Sequence, residues 1–197
     1  MKNERKPGRP RSETAHQAIL EAANHLMESI PIREITIQGI AKQAGVGKPT
    51  IYRWWDTKCS LVMDAFLASA APQIPFPKTD SVVDALKEQL RLVIKLLRGP
   101  SGRIVAQMIG EGQSAPDILK KFRERFFTQL LAPARTIIER GKKSGEIDKN
   151  IDMDLAIDLL YGPIYYRLLV GHQPLNDAFA RNLPERVVAI LKTVQPG

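Results

Sequence analysis

The stretch Thr36-Ile37-Gln38-Gly39-Ile40-Ala41-Lys42-Gln43-Ala44-Gly45-Val46-Gly47-Lys48-Pro49-Thr50-Ile51-Tyr52-Arg53-Trp54-Trp55 decides how the rest of this chain reads. Ile37, Ile40, Ala41 and Ala44 recur at steps of three and four, which is one buried helix face, while Gln38 and Lys42 fall on the outside. Gly45 stands where a helix ends in a left-handed residue, and Val46 turns back toward the core. A new helix begins near Lys48, with Pro49 in its first turn, where a missing N–H is harmless. Ile51 and Trp55 face inward. Lys48 with Tyr52, and Pro49 with Arg53, are each four apart and form one outward face. Two short helices joined by a glycine turn, the second opening on Lys, Tyr and Arg, predict a helix-turn-helix. In that motif the first residues of the second helix meet base edges in the major groove. The plainer alternative is a helical hairpin with an aromatic core.

Upstream, Ala15, Ile19, Ala22, Ala23, Leu26 and Met27 mark an amphipathic helix from Ser12, a suitable N-cap, to Ser29, with Pro31 closing it. Residues 1–11 form a basic arm. Lys2, Arg5, Lys6, Arg9 and Arg11 stand there against Glu4 alone, so half of the net charge of +8 lies in this short piece. Such an arm suits a polyanion (DNA, RNA or an anionic membrane surface); a solvated tail that only aids solubility is the alternative. Pro7-Gly8-Arg9-Pro10-Arg11 stays extended because proline disfavours helix in the residue before it. This Gly-Arg-Pro core resembles an AT-hook, and Arg9 and Arg11 suit the negative potential of a minor groove.

Residues 12–67 resemble the DNA-binding domain of the tetracycline-repressor (TetR) family. The resemblance is carried by Ile19-Leu20-Glu21-Ala22-Ala23, by Ile40 to Val46, by Lys48 to Trp55, and by Lys58 with Leu61. By position it implies that Thr36 and Thr50 hold phosphates and that Gln38 reads a base. It implies that Lys48, Pro49, Tyr52 and Arg53 form the recognition surface and that Lys58 grips a phosphate at the start of the fourth helix. Trp55 stands where the family usually has a core Phe. Trp54 departs from the family's usual His, and its indole N–H is open to either a phosphate or packing. The chemistry agrees: Gln pairs with adenine and Lys or Arg with guanine, while Thr, Tyr and Lys suit phosphate oxygens.

The expected architecture is all-α, with an arm (1–11), a DNA-binding domain (12–70) and a ligand-sensing and dimerisation domain (78–197). Helix four is predicted from about Lys58 to Ala70, ended by the Pro-rich stretch from Pro72 to Pro77. Further helices are predicted over Ser81–Arg98, Arg103–Ile109 and Pro116 to about Lys142, then Asp152–Val170 and Asn176–Thr193. Gly110-Glu111-Gly112 reads as a turn, and Pro133 inside the long helix should kink it. The resemblance implies that the last two helices pair with their twofold mates in a homodimer on a palindromic operator, with half-sites one DNA turn apart. Tyr161-Gly162-Pro163-Ile164-Tyr165-Tyr166-Arg167-Leu168-Leu169 resembles one C-terminal branch of the family. A small, apolar or aromatic effector is implied, with Met108, Phe122, Phe126, Tyr161 and Tyr165 as candidate contacts, each also readable as ordinary core. The expected role is a ligand-released transcriptional repressor.

Other classes fit poorly. The longest stretch without Asp, Glu, Lys or Arg is Ala65–Pro77, 13 residues with three prolines, against about 20 apolar residues for a membrane span. No apolar run follows the basic N-terminus, so the expected location is the cytoplasm and no membrane partner is expected. His16, His25 and His172 are scattered without metal-ligand spacing, and no Gly-rich phosphate loop follows a strand. No enzyme, metal or cofactor is expected. Asp148, Asp152 and Asp154 lack the rest of a calcium-loop signature. Cys59, the one cysteine, reads as a small packed thiol rather than a redox sensor.

Overall fold

The structure is a computed structural model and describes residues 13–77, 79–115, 120 and 122–192. The arm with Arg9 and Arg11 lies outside the described residues. The described residues hold helices and turns, with no strand. The chain divides into two compact units between Ala65 and Phe66.

The first unit packs α1 (Glu13–Ser29), α2 (Ile37–Gln43) and α3 (Lys48–Tyr52) against one another, with a 3₁₀ turn at Ile32–Glu34. The division between units falls inside α4 (Lys58–Ala70). Ile19, Ala23 and Met27 of α1, Ile40 of α2 and Ile51 of α3 are fully buried, as their spacing requires. Asn24 of α1 donates to the carbonyl of Ala65 at 2.9 Å. Thr57 and Ser60 exchange hydrogen bonds at the head of α4, the hydroxyl of each accepting the other's backbone N–H, which is a capping box with serine in the second place.

The second unit is organised around α5 (Val82–Leu97), whose Val82, Ala85, Leu86, Leu90, Val93 and Ile94 are all buried. Helices α6 (Pro100–Ser114), α7 (Thr128–Ser144), α8 (Met153–Val170) and α9 (Asp177–Leu191) each pack on it. Glu146 accepts from the N–H of Val82 at 3.1 Å, at the positive end of the α5 dipole. Asp152 caps α8 by accepting from Leu155 N, and Asn176 caps α9 by accepting from Phe179 N, both at 2.9 Å. Gly171 ends α8 at φ +69°, a backbone that glycine adopts without a Cβ penalty. Arg98 reaches across to Asp177 and to the carbonyl of Leu175, while Lys87 and Arg91 hold Glu185.

Two sequence expectations need correction. The turn expected at Gly110-Glu111-Gly112 is helix, and α6 begins at Pro100 rather than Arg103. Gly99 caps it and Pro100 occupies the first turn, where a proline loses nothing. Glycine weakens a helix by only about 1 kcal/mol per residue, which the packing of the helix exceeds, and Gly112 is itself buried. The stop comes instead at Ala115, which precedes Pro116 in sequence. The second correction concerns the long helix expected from Pro116. Residues 116–119 and 121 lie outside the described residues. Arg123–Phe127 is a π-helical segment, in which the N–H of Thr128 bonds the carbonyl of Arg123, five residues back. The helix then runs through Pro133 to Ser144. The three aspartates of the superficial calcium reading serve the fold: Asp148 accepts from Asn150 N, Asp152 caps α8 and Asp154 pairs with Arg135.

Two glycines separate backbone propensity from packing. A Cβ on Gly141 would lie 2.5 Å from Ile147 Cγ1 and 2.8 Å from Val82 Cγ1, whereas one on Gly110 would meet nothing within 4 Å. Gly110→Ala should therefore stabilise the protein by about 0.5–1 kcal/mol and Gly141→Ala destabilise it by about 1–3 kcal/mol, read as opposite shifts of the thermal midpoint. The carboxylates on α9 give a pH expectation. The hydrogen bond and charge of Arg98 hold Asp177 below its usual value, and Lys87 does the same to Glu185. A carboxylate lowered by folding stabilises the protein above its ordinary pKa, and this is lost as pH falls. The thermal midpoint should thus fall below about pH 4.5, the ordinary glutamate value, and the double variant Asp177→Asn, Glu185→Gln should flatten that fall.

Candidate nucleic-acid interface and effector cavity

The first unit builds an exposed face from the backbone upward. Thr36 is extended at φ −123°, and its Oγ1 accepts from Gly39 N at 3.0 Å, starting α2. At the other end Val46 N bonds Ala41 O at 3.0 Å and Gly45 N bonds Lys42 O at 3.3 Å, with Gly45 at φ +66°. This pair of bonds is the Schellman closure, which needs a left-handed residue between the helices. Ala41, 5% exposed, leaves the room in which α1, α2 and α3 meet. Gly47 caps α3, and Thr50 N bonds its carbonyl at 2.9 Å.

The result sorts the sequence-derived residues by exposure. Thr36, Gln38, Lys48, Pro49, Tyr52 and Arg53 are exposed, with Tyr52 at 52%, while Thr50 is half-buried. Thr36 serves the fold as well, since its oxygen caps α2; its hydroxyl proton is what remains to donate. Lys58 Nζ donates to the carbonyl of Ile32 at 3.0 Å, so this ammonium ties α4 to the 3₁₀ turn and has two further N–H groups to offer a phosphate.

The tryptophans differ in role. Trp55 is buried at 3% and its Nε1 donates to Asp64 at 2.9 Å. Trp54 packs its indole 4.4 Å from the His16 ring, and His16 stacks on Trp55 at 4.8 Å with 17° between planes. Sequence periodicity missed His16 and Asp64, because both act across helices. Thr57 and Ser60 were missed too, although a hydroxyl pair three apart before an apolar run is the signal that could have found them.

The second unit holds a cavity of about 490 Å³. Phe122, Tyr161 and Tyr165 line it, together with Ile109, Leu131, Ile157, Gly162 and Leu169, and with Arg123, Arg135, Asp154 and Asp158. Of the five candidate contacts it thus brings together three. Met108 is buried and lies outside the lining, where α6 presents Ile109 instead; one residue along a helix turns the side chain by about 100°. The side chain of Phe126 lies outside the described residues. Burial pushes the Tyr161 hydroxyl above its ordinary value, and Tyr165 is pushed up by burial and then by Tyr161. Among the described residues no group of His, Cys, Asp and Glu is placed to hold a metal ion, and no helix is long and apolar enough to cross a membrane.

Comparison with known proteins agrees with this division. The profile of bacterial regulatory proteins of the tetR family matches residues 19–65, and that of the tetracyclin repressor-like C-terminal domain matches residues 76–187. The chain is 38% identical to the uncharacterized HTH-type transcriptional regulator YdeS of Bacillus subtilis (strain 168), over 90% of each chain. It is 28% identical to the HTH-type transcriptional regulator AqdR of Rhodococcus erythropolis, over 89% of this chain and 82% of that one. Among solved structures it is similar to the TetR family transcription regulator SCO0332, with a TM-score of 0.78 and 29% identity over 89% of this chain and 97% of that one.

The Thr36 cap can be tested apart from any DNA contact. Thr36→Ala should lower the stability of the first unit by about 1 kcal/mol, and Thr36→Ser should restore it, because serine keeps the accepting oxygen. Thermal unfolding followed by tryptophan fluorescence reads this directly, since Trp54 and Trp55 both lie in that unit.

Proposed function

The chain belongs to the TetR family of DNA-binding transcriptional regulators, and from that premise we propose that it is a homodimeric repressor released from a palindromic operator by a small apolar or aromatic effector. The observation that carries the DNA half is the exposed face of Lys48, Pro49, Tyr52 and Arg53, held by a buried Ile51 and Trp55 beneath it. Tyr and Lys suit phosphates, Lys or Arg suits guanine, and Gln38 on α2 suits adenine. Arg9 and Arg11 extend the basic surface in sequence and suit a minor groove.

The dimer is supported by what α8 and α9 leave uncovered. Leu155, Tyr166, Leu169 and Val170 on α8 and Ile190 on α9 are 47% to 59% exposed. Large apolar side chains grouped on the last two helices fit a second copy better than water. A twofold pair carries two recognition helices, which then meet half-sites about 34–36 Å apart. The effector is supported by the cavity between α6, the π segment, α7 and α8. A ligand that prefers one arrangement of the dimer over another shifts the population, and a coupling of about 1–3 kcal/mol changes DNA affinity about 5–150-fold.

The test is selection of bound fragments from random duplex DNA at about 150 mM salt, where weak nonspecific binding is suppressed. A palindrome with half-sites one turn apart is the expected product. Lys48→Ala and Tyr52→Ala should each weaken binding to that sequence about tenfold or more while leaving the dimer intact by sedimentation. Full affinity in both variants, or binding indifferent to sequence, rejects the assignment of α3 as the reading helix.

A further inference from the structure

The lining of the cavity limits what it can hold. Its charges cancel, Arg123 and Arg135 standing against Asp154 and Asp158, and Arg135 and Asp154 are paired with one another. All four belong to exposed residues. The buried part of the lining is aromatic and aliphatic: Phe122 is 0% and Tyr161 3% exposed, with Tyr165 one turn further along α8. An ion moved into this space would leave water for a lining with no net charge to receive it, and a buried charge is unfavourable unless paired. A flat neutral ring system would instead meet the rings of Phe122, Tyr161 and Tyr165 in offset or edge-to-face contact. The volume of about 490 Å³ suits a drug-sized molecule. A tyrosine phenol is protonated at neutral pH and can donate its O–H, and burial raises both of these further above the ordinary value.

We propose that the cavity takes an uncharged polycyclic aromatic molecule bearing a hydrogen-bond-accepting oxygen, with Phe122 and the two tyrosine rings as its walls and the tyrosine hydroxyls as donors to that oxygen. This deepens the effector-released reading and rests on it. It sets the cavity against anionic amphiphiles, whose head group the paired Arg135 does not await.

The full chain is titrated with N-phenyl-1-naphthylamine, an uncharged fluorescent bicycle, and with its sulfonated counterpart 1-anilinonaphthalene-8-sulfonate. Flavone, which carries a ring carbonyl, and palmitate then compete against the first probe. The uncharged probe should bind at one site about tenfold more tightly than the sulfonate, and flavone should displace it more effectively than palmitate. Leu131→Trp and Ile109→Trp fill the cavity from α7 and from α6, and either variant that stays folded should lose the probe. Tyr161→Phe with Tyr165→Phe should weaken flavone about fivefold or more, the size of one lost hydrogen bond, and leave the uncharged probe unchanged. Tighter binding of the sulfonate or of palmitate, lost on Arg123→Gln, would overturn the proposal in favour of an anionic ligand. Probe binding that survives both tryptophan variants would overturn it by placing the site elsewhere. Binding of the selected operator is measured on the same samples without ligand and again with the probe or flavone added. A wild type that takes the uncharged probe yet never binds or leaves DNA sinks the effector-released reading and not the ligand chemistry.

Discussion

Helix α3 is five residues long, and a helix of that length has no stability of its own in water. Its position is therefore imposed from outside, and the exposed face it carries depends on that imposition. Three constraints meet there. The left-handed Gly45 fixes the turn from α2. Ile51 anchors the helix from below. Trp55, buried and bonded to Asp64, fastens its C-terminal end to α4. His16 adds a fourth point by stacking on Trp55 and packing at a tilt against Trp54, so the first turn of α1 is tied to the end of α3. Lys48, Tyr52 and Arg53 can be presented together because the side chains between them are held so firmly.

The second unit solves a different problem. Its hub, α5, is buried along most of its length, and polar contacts join it to its surroundings both at its ends and along its middle. Glu146 meets the N-terminus of α5, Arg98 meets the start of α9, and Lys87 and Arg91 share Glu185. Most of these contacts are exposed ion pairs, each worth little by itself. Their use is orientation, while apolar burial supplies the stability. Backbone bonding is interrupted at the π segment Arg123–Phe127, whose Arg123 lines the cavity, and at Pro133 and Pro163, in helices that contribute other residues to the lining. Interruptions of this kind are where helices bend.

The amino-acid sequence by itself determined the helical class, the helix-turn-helix and its exposed residues. Periodicity, caps and the glycine turn act over a few residues, so they are written locally: Ile37, Ile40 and Ala41 face one way because 3.6 residues make a turn, whatever surrounds them. Tertiary structure decided what no local rule fixes. Glycine propensity argued for a turn at Gly110 to Gly112, but packing kept the helix running to the residue before Pro116. Helical phase selected Ile109 over Met108 for the cavity, a matter of 100° that periodicity across a misplaced boundary could not supply. Trp54 could have faced either a phosphate or the core on sequence grounds; His16, 38 positions earlier, supplies the ring against which it packs. Contacts of that kind join residues distant in the chain, and their existence depends on how whole helices are placed, which is a property of the packed molecule and not of any segment within it.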